Sequence, residues 1–583
     1  MRLSQTRLRE LLLLAGLCGF FFFFRLSGIG LLGPDEPRYA QVAREMLASH
    51  DWVTPILYGH TWLEKPILLY WGEMLAYTFF GVSDWAARIP SAVAATLLVF
   101  GTFFFVRRIR RLARLDAALM IASSVLILGF SRAAATDMLL AAPFCLSLLA
   151  WFCWYQANFE EAAPVDGHPK VLSARVCLMA FYALNAVAML AKGPVALALA
   201  GLILIAFCAS QRNLRALVRT LDPMGLAIFI AVAAPWYVLV QLRTPEFFRV
   251  FFLQHNLARF GSNLYRHKQP FWYYIPVALI ATIPWSVWLM HGLADAISAL
   301  RRTPAPAALT NLSDTPCDTP EPATLPEEAE APPSFTFEVF LFLWAILPIA
   351  FFSLSRSKLP GYILPAIPPL LILTAVAIHR RAALGQPPRW FSITAHGVLL
   401  AGLGAAGCIA PRIYFKLPVS ASARMIAAVV GTAIFLLVAL PLLTAGWRML
   451  HFVTLLPIIL VVGFILRGVA PAIDATQSAR PVAQLLQQMD QPGPLPLATF
   501  ALSRNTAFAL AFYLDRRVAP YEGLEISPAV YELPAAIPAS AHILIAREGS
   551  IPSLRLLLSG RSLRLLGSYR PQRVEIFFVS PAP

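Results

Sequence analysis

Two short stretches concentrate residues suited to acid–base and phosphate chemistry. The first, Gly33-Pro34-Asp35-Glu36-Pro37-Arg38-Tyr39, opens a predicted helix that continues through Ala40, Val42, Ala43 and Glu45. The second is Leu63-Glu64-Lys65-Pro66. Gly33-Pro34 interrupts whatever precedes it, so Asp35 and Glu36 fall near a helix N-terminus, where the dipole favours an ionised carboxylate. Asp35 and Tyr39 stand four residues apart and share a helix face. A helix cap with a solvated charged face is the plain alternative for this acidic pair. Pro66 disfavours helix at Lys65 and starts a new helix beyond it, which leaves Glu64 and Lys65 on an extended turn with diverging side chains. The plain alternative there is a local ion pair.

Further charged loops recur down the chain. Arg132 and Asp137 flank a short connection between two apolar stretches, and Lys192-Gly193-Pro194 makes a tight turn between two others. Gln254-His255-Asn256-Leu257-Ala258-Arg259 is followed by Arg266-His267-Lys268 and the aromatic run Phe271-Trp272-Tyr273-Tyr274. The aromatics suit an interfacial belt. The two histidines, with Asp35, Glu64 or Asp137, offer donors for a metal, although no metal-binding spacing is present. Ser355-Arg356-Ser357-Lys358-Leu359-Pro360-Gly361-Tyr362 places Lys358 and Tyr362 where a lipid headgroup would lie.

The elements that must position these loops are membrane helices. Of 583 residues 58% are hydrophobic and only 13% charged, with a mean hydropathy of +0.67. That is the composition of a polytopic α-helical membrane protein. Apolar runs of bilayer-crossing length number about thirteen, near 9–28, 86–106, 115–133, 138–156, 173–191, 194–209, 222–241, 272–293, 337–354, 362–379, 391–410, 425–443 and 450–467. With the N-terminus inside, Arg107 to Arg114, Arg212 to Arg219, Arg301 and Arg302, and Arg380 to Arg389 all fall on the inner side, as the orientation rule prefers.

The net charge of +16 is therefore a topology and lipid-contact signal, and nucleic acid is not an expected partner. Arg38, Arg44, Lys65, Arg132, Lys192, Arg259, Arg266, Lys268, Arg356 and Lys358 lie on the outward side, where that rule disfavours them; bound phosphate is the simplest reason to keep them. The cysteines carry no CxxC or disulfide-like spacing and read as small core residues.

The expected organisation is a membrane domain over 1–468, with an outer loop 33–85 and a disordered cytoplasmic loop 303–334 rich in Pro, Ala, Thr and Glu. A soluble domain follows over 469–583. In it Leu495 to Ala501, His542 to Ala546 and Val574 to Val579 read as strands, and Asn505 to Leu514 and Pro552 to Leu558 as helices, a small α/β unit on the outer side.

The run GPDEPRYAQVAREMLASHDWVTP, then LEKP, PFWYY and SKLPGYILP, resembles the protein-mannosyltransferase-like membrane glycosyltransferases of GT-C fold, and among them the bacterial lipid A aminoarabinose transferases. The similarity runs in order through roughly the first 370 residues. It implies transfer of a sugar, such as 4-amino-4-deoxy-L-arabinose, from undecaprenyl phosphate at the periplasmic face of the bacterial inner membrane, with lipid A, another envelope glycolipid or a protein as acceptor. It implies that Asp35 is the key acid beside Glu36, with Asp137 a second essential carboxylate. Lys65 and Lys358, with Arg259 or Arg266 and Tyr362, would hold the carrier phosphate next to Arg38 and Tyr39. Glu64 and His255 or His267 would correspond to a divalent metal position, zinc in relatives.

The chemistry expected is a single displacement with inversion, since no residue stands out as a covalent nucleophile. Transporters place ionisable groups at mid-membrane and often show repeated halves. Here the span centres are almost free of charge and no internal repeat is visible. A scaffold role would leave the outward acid–base loops unexplained.

Overall fold

Apolar runs long enough to cross a bilayer fold as helices because only intra-segment hydrogen bonds satisfy the backbone in lipid. The computed structural model describes residues 5–160, 173–258, 269–301, 335–414, 418–489, 495–527 and 531–582. Among these, eight helices are long and apolar enough to span a membrane, or ten if each of two bent pairs is one span. The expected count of about thirteen is therefore not fixed by length and apolarity. The remaining candidates are the 16-residue helix Val195–Ser210, the N-terminal helix Gln5–Cys18 with its π-helical continuation Gly19–Phe23, and a division of Ala421–Gln477 near Gly446. The chain is an integral membrane protein. The 303–334 loop lies outside the described residues.

Burial sorts the spans into an axis and a ring. Thr136–Phe159 is buried along its whole apolar window and Pro360–Ala383 along 94% of it, whereas Pro223–Arg243 is only 22% buried. The two central helices thus meet protein on all sides and the outer ones meet lipid. Trp151, Phe152 and Tyr155 of the first central helix stack with Phe207, Phe337 and Phe340 at one end of the bundle.

Two expected spans, 115–133 and 272–293, are broken rather than smooth. Arg111–Ser123 and Val125–Ser131 meet at 62°, and Phe271–Ala281 and Ser286–Arg301 at 115°. Ser124 is extended at the first break, and Pro284, which lacks an N–H, lies in the second. The breaks satisfy each other: the Val125 N–H donates to the Ile283 carbonyl at 2.9 Å and Trp285 Nε1 to Ser123 Oγ at 2.9 Å. Irregular backbone at this depth is tolerated where protein supplies the missing partners.

The C-terminal unit is a mixed five-stranded sheet in the order Val518–Pro520, Leu497–Phe500, His542–Arg547, Val574–Val579, Leu563–Tyr569. The first three strands are parallel and the last two pairings antiparallel, with Leu497 opposite Ile543 and Ile545 opposite Ile576. Leu497–Phe500 is buried at every position, as a parallel strand covered on both faces should be. Helix Arg504–Leu514 makes the parallel crossover and lies on helix Asp35–Ala48 of the membrane domain. Arg44 donates to the Phe512 carbonyl and pairs with Asp515 at 2.9 Å; the Leu31 N–H donates to Tyr513 Oη, and Arg480 bridges Asp84 and Asp474. The C-terminal domain therefore sits against the loop 33–85.

Candidate active site

Gly33 has φ = +65°, a left-handed turn that glycine adopts without strain, and Pro34 then leads into helix Asp35–Ala48. Nine of its fourteen residues are buried, Glu36 to Ala43 and Met46, so this short helix is part of the core rather than a surface cap. Its two N-terminal acids face different surroundings. The Asp35 side chain is 50% exposed and pairs with Arg38. Glu36 is buried, and its two oxygens accept four hydrogen bonds, from the Leu32 and Ala134 N–H groups at 2.7 and 2.8 Å and from Arg88 Nε and Nη2 at 3.0 and 2.8 Å. Arg88 spends its other N–H groups on the Leu26, Ile29 and Gly30 carbonyls. Glu36, expected beside Asp35 as a reacting acid, is thus fully occupied in holding the loop. Arg88 was not singled out by sequence reasoning; its only signal is an arginine in the first turns of an apolar span.

Arg38 is buried, with its guanidinium 4.9 Å from the Trp62 ring centroid and 5.3 Å from that of Tyr39. Burial opposes its charge, but Glu64, Tyr39 and Asp35 together outweigh that and raise its pKa. Burial, then the Asp35 charge, also pushes the Tyr39 hydroxyl well up, so it stays a neutral donor. The buried Glu64 carboxylate acts on Arg38, Tyr39 and Tyr70, which places the Glu64-Lys65 turn beside the first loop. Lys65 follows it, half-buried.

The second acid joins this cluster through the Glu36 clasp. Ala134, held by Glu36, lies three residues before Asp137. Asp137 accepts from Lys192 Nζ at 2.6 Å, and the same ammonium lies 5.2 Å from the Tyr362 ring centroid. Gly361 permits the approach: a Cβ there would stand 2.7 Å from Asp137 Oδ1 and 2.6 Å from Phe130 Cζ. Lys358 is buried and donates to the Ser355 and Gln269 carbonyls at 2.6 and 3.2 Å. The first loop, the 131–137 connection, the Lys192 turn and the Lys358–Tyr362 loop therefore form one contiguous region.

Other expectations fare differently. Arg132, read as a phosphate ligand, donates instead to the Phe21, Phe24 and Arg25 carbonyls and caps the first span. Arg44 belongs to the docking of the soluble domain. Arg259, Arg266, His267 and the His255 side chain lie outside the described residues. Among the described residues no three His, Cys, Asp or Glu side chains converge on one point, and the histidines expected beside Glu64 lie outside those residues.

Comparison with known proteins agrees with this architecture. Residues 29–251 match the dolichyl-phosphate-mannose-protein mannosyltransferase family. An undecaprenyl phosphate-alpha-4-amino-4-deoxy-L-arabinose arabinosyl transferase of Pseudomonas aeruginosa (strain UCBPP-PA14) is 33% identical over 408 residues, 69% of this chain and 64% of that protein. The enzyme of that name from Aeromonas hydrophila is 31% identical over 359 residues, 61% of this chain and 57% of that protein. The chain thus spans 57–64% of the length of these curated relatives. The crystal structure of ArnT from Cupriavidus metallidurans bound to undecaprenyl phosphate superposes with a TM-score of 0.73 at 23% identity, over 99% of this chain and 98% of that one. The buried acid clasp, the cation-bearing loops and the docked α/β domain are thus set on the fold seen in ArnT, and residues 29–251 match the mannosyltransferase family.

Proposed function

We propose that this protein is a glycosyltransferase that moves a sugar, 4-amino-4-deoxy-L-arabinose, from undecaprenyl phosphate to lipid A or a related envelope acceptor at the periplasmic face of the inner membrane. One observation carries the reading. Asp35 is a half-exposed carboxylate at a helix N-terminus, and the acid next to it is wholly consumed in fixing its position. Relatives similar over 69% of the chain are named as arabinosyl transferases of undecaprenyl phosphate-linked aminoarabinose, which supports that donor.

In the transfer, the bond between the anomeric carbon and the carrier phosphate oxygen breaks as the acceptor oxygen bonds the opposite face of that carbon. The phosphate leaves with growing negative charge, which Lys65 and Lys358 would stabilise in a partly dry site. Lys358 has a third ammonium hydrogen beyond the two given to carbonyls. If the acceptor is a hydroxyl, Asp35 takes its proton. If it is an ionised phosphate, no proton moves and Asp35 orients the groups. Asp137 is balanced by Lys192.

The test is mass spectrometry of lipid A and envelope glycans from cells with and without the protein, paired with purified enzyme, undecaprenyl-phosphate aminoarabinose and lipid A. A mass increment on lipid A that disappears with Asp35→Asn is expected. Unchanged lipid A alongside a new protein-linked glycan would replace the acceptor.

A further inference from the structure

The turn that carries Glu64 and Lys65 follows a small hairpin whose geometry is unusual. Strands Ile56–Leu57 and His60–Thr61 pair antiparallel, Leu57 opposite His60, through the two-residue loop Tyr58-Gly59. Both loop residues have positive φ, +54° and +77°, as a type I′ turn requires. Gly59 suits this. Tyr58 does not: asparagine or aspartate is the residue such a position favours, and an aromatic side chain there is strained.

The strain is offset from outside the hairpin. Tyr58 is 4% exposed; its ring lies 5.8 Å from that of Phe508 and its hydroxyl donates to the Ala507 carbonyl at 3.3 Å, both on helix Arg504–Leu514 of the soluble domain. The Arg517 guanidinium packs against Gly59. From the membrane domain, Glu45 accepts the Tyr58 and Gly59 N–H groups at 3.0 Å each. The hairpin is closed by the Trp62 N–H donating to the Pro55 carbonyl at 2.7 Å, and Trp62 lies under Arg38 two residues before Glu64.

We infer that Tyr58 is a positioning residue through which the soluble domain sets the Glu64-Lys65 turn, and hence the pocket for the carrier phosphate. This rests on the reading of Lys65 given under Proposed function. The domain then acts as a clamp on the donor site. An asparagine at position 58 would make the better isolated turn, so a tyrosine there is explained by what its ring reaches.

The test uses the full-length protein in detergent, with undecaprenyl phosphate as probe, and follows both its Kd and hydrogen exchange at 58–65. Tyr58→Asn, which relaxes the turn while removing the anchor, is expected to weaken binding about tenfold and to speed exchange at 60–65 with the thermal midpoint retained. Phe508→Ala, made on the domain side, should reproduce both effects, and Tyr58→Phe, which keeps the ring, should bind within about twofold of the parent. Lys65→Ala should weaken binding with exchange unchanged. Wild-type binding and exchange in Tyr58→Asn overturn the inference, as does a binding loss that Tyr58→Phe fails to rescue. If Lys65→Ala binds as tightly as the parent, the phosphate reading falls by itself, and the exchange data then judge the anchor alone.

Discussion

Asp35 and Glu36 are adjacent carboxylates, and their surroundings predict opposite consequences for the same chemical change. Glu36→Gln exchanges one of two oxygens for an amide nitrogen. Whichever way the amide turns, that nitrogen meets two donors, either the Leu32 N–H and Arg88 Nη2 or the Ala134 N–H and Arg88 Nε. Two buried donors lose their acceptor, at about 1–3 kcal/mol each, and the buried Arg88 charge loses its counter-ion. Breaking a buried pair from one side costs about 3–5 kcal/mol, softened here by three carbonyls that still receive Arg88. Asp35→Asn instead removes the half-exposed partner of the buried Arg38, which keeps the stronger Glu64 charge beside it, and the expected stability change is about 1 kcal/mol.

Thermal unfolding in detergent, followed alongside turnover measured well below each midpoint, separates the two. Glu36→Gln should lose several degrees of midpoint while its folded fraction keeps turnover within about tenfold. Asp35→Asn should keep the midpoint and lose turnover by about 10²–10⁴, the range of a positioned acid or base. A Glu36→Gln protein with an unshifted midpoint and no turnover would refute the assignment.

Glu73 on helix Leu68–Phe80 is fully buried, and neither of its oxygens has a hydrogen-bond partner among the described residues. Burial, then the Glu36 charge, raises its pKa well above the ordinary 4.5, with Tyr70 and Tyr77 its other titratable neighbours. A raised carboxyl favours folding below its unfolded pKa and loses that contribution as pH rises toward the folded value, by about 1.4 kcal/mol per unit. Glu73→Gln should therefore gain midpoint over the parent progressively from pH 5 to 8; a pH-independent difference would exclude a protonated Glu73. Gly361→Ala should cost about 1–3 kcal/mol through overpacking against Phe130 and should cut turnover by displacing Asp137; normal stability and rate in that variant would contradict the close approach. Lys192→Ala and Asp137→Asn should each lower turnover, and the double variant should be no worse than the weaker single, because each leaves the other unpaired. Additive losses would separate the two residues.

Periodicity and punctuation made much of the molecule legible from residues alone. The Gly33-Pro34 break and the acids after it located helix Asp35–Ala48, and Pro66 located the helix that begins at Leu68. Three strands and two helices of the soluble domain fall within a few residues of their expected bounds, but the edge strands were missed, Val518–Pro520 because it is three residues long and ends in proline and Leu563–Tyr569 because its partial exposure gives no clear alternation. What the sequence does not carry is partnership. Asp35 and Glu36 look equivalent until Arg88, 52 residues on, is seen to claim one of them. Lys192 reads as a cation kept for bound phosphate until Asp137 is found 2.6 Å away, and Ser124 gives no warning of a 62° bend because its unpaired neighbour is met by Ile283.

The contacts between the first loop and the C-terminal domain also bear on how the protein is made. Tyr58 meets Ala507 across 449 positions of chain and Leu31 meets Tyr513 across 482. At ribosomal rates of about 5–20 residues per second, the first outward loop waits roughly 20–90 s in the membrane before its clamp is synthesised. During that interval the spans can insert and pack while the helix bearing Asp35 lacks the surface it rests on. Nascent chains are then expected to be catalytically silent, with competence arriving in a single late event when the α/β domain folds and closes onto the loop.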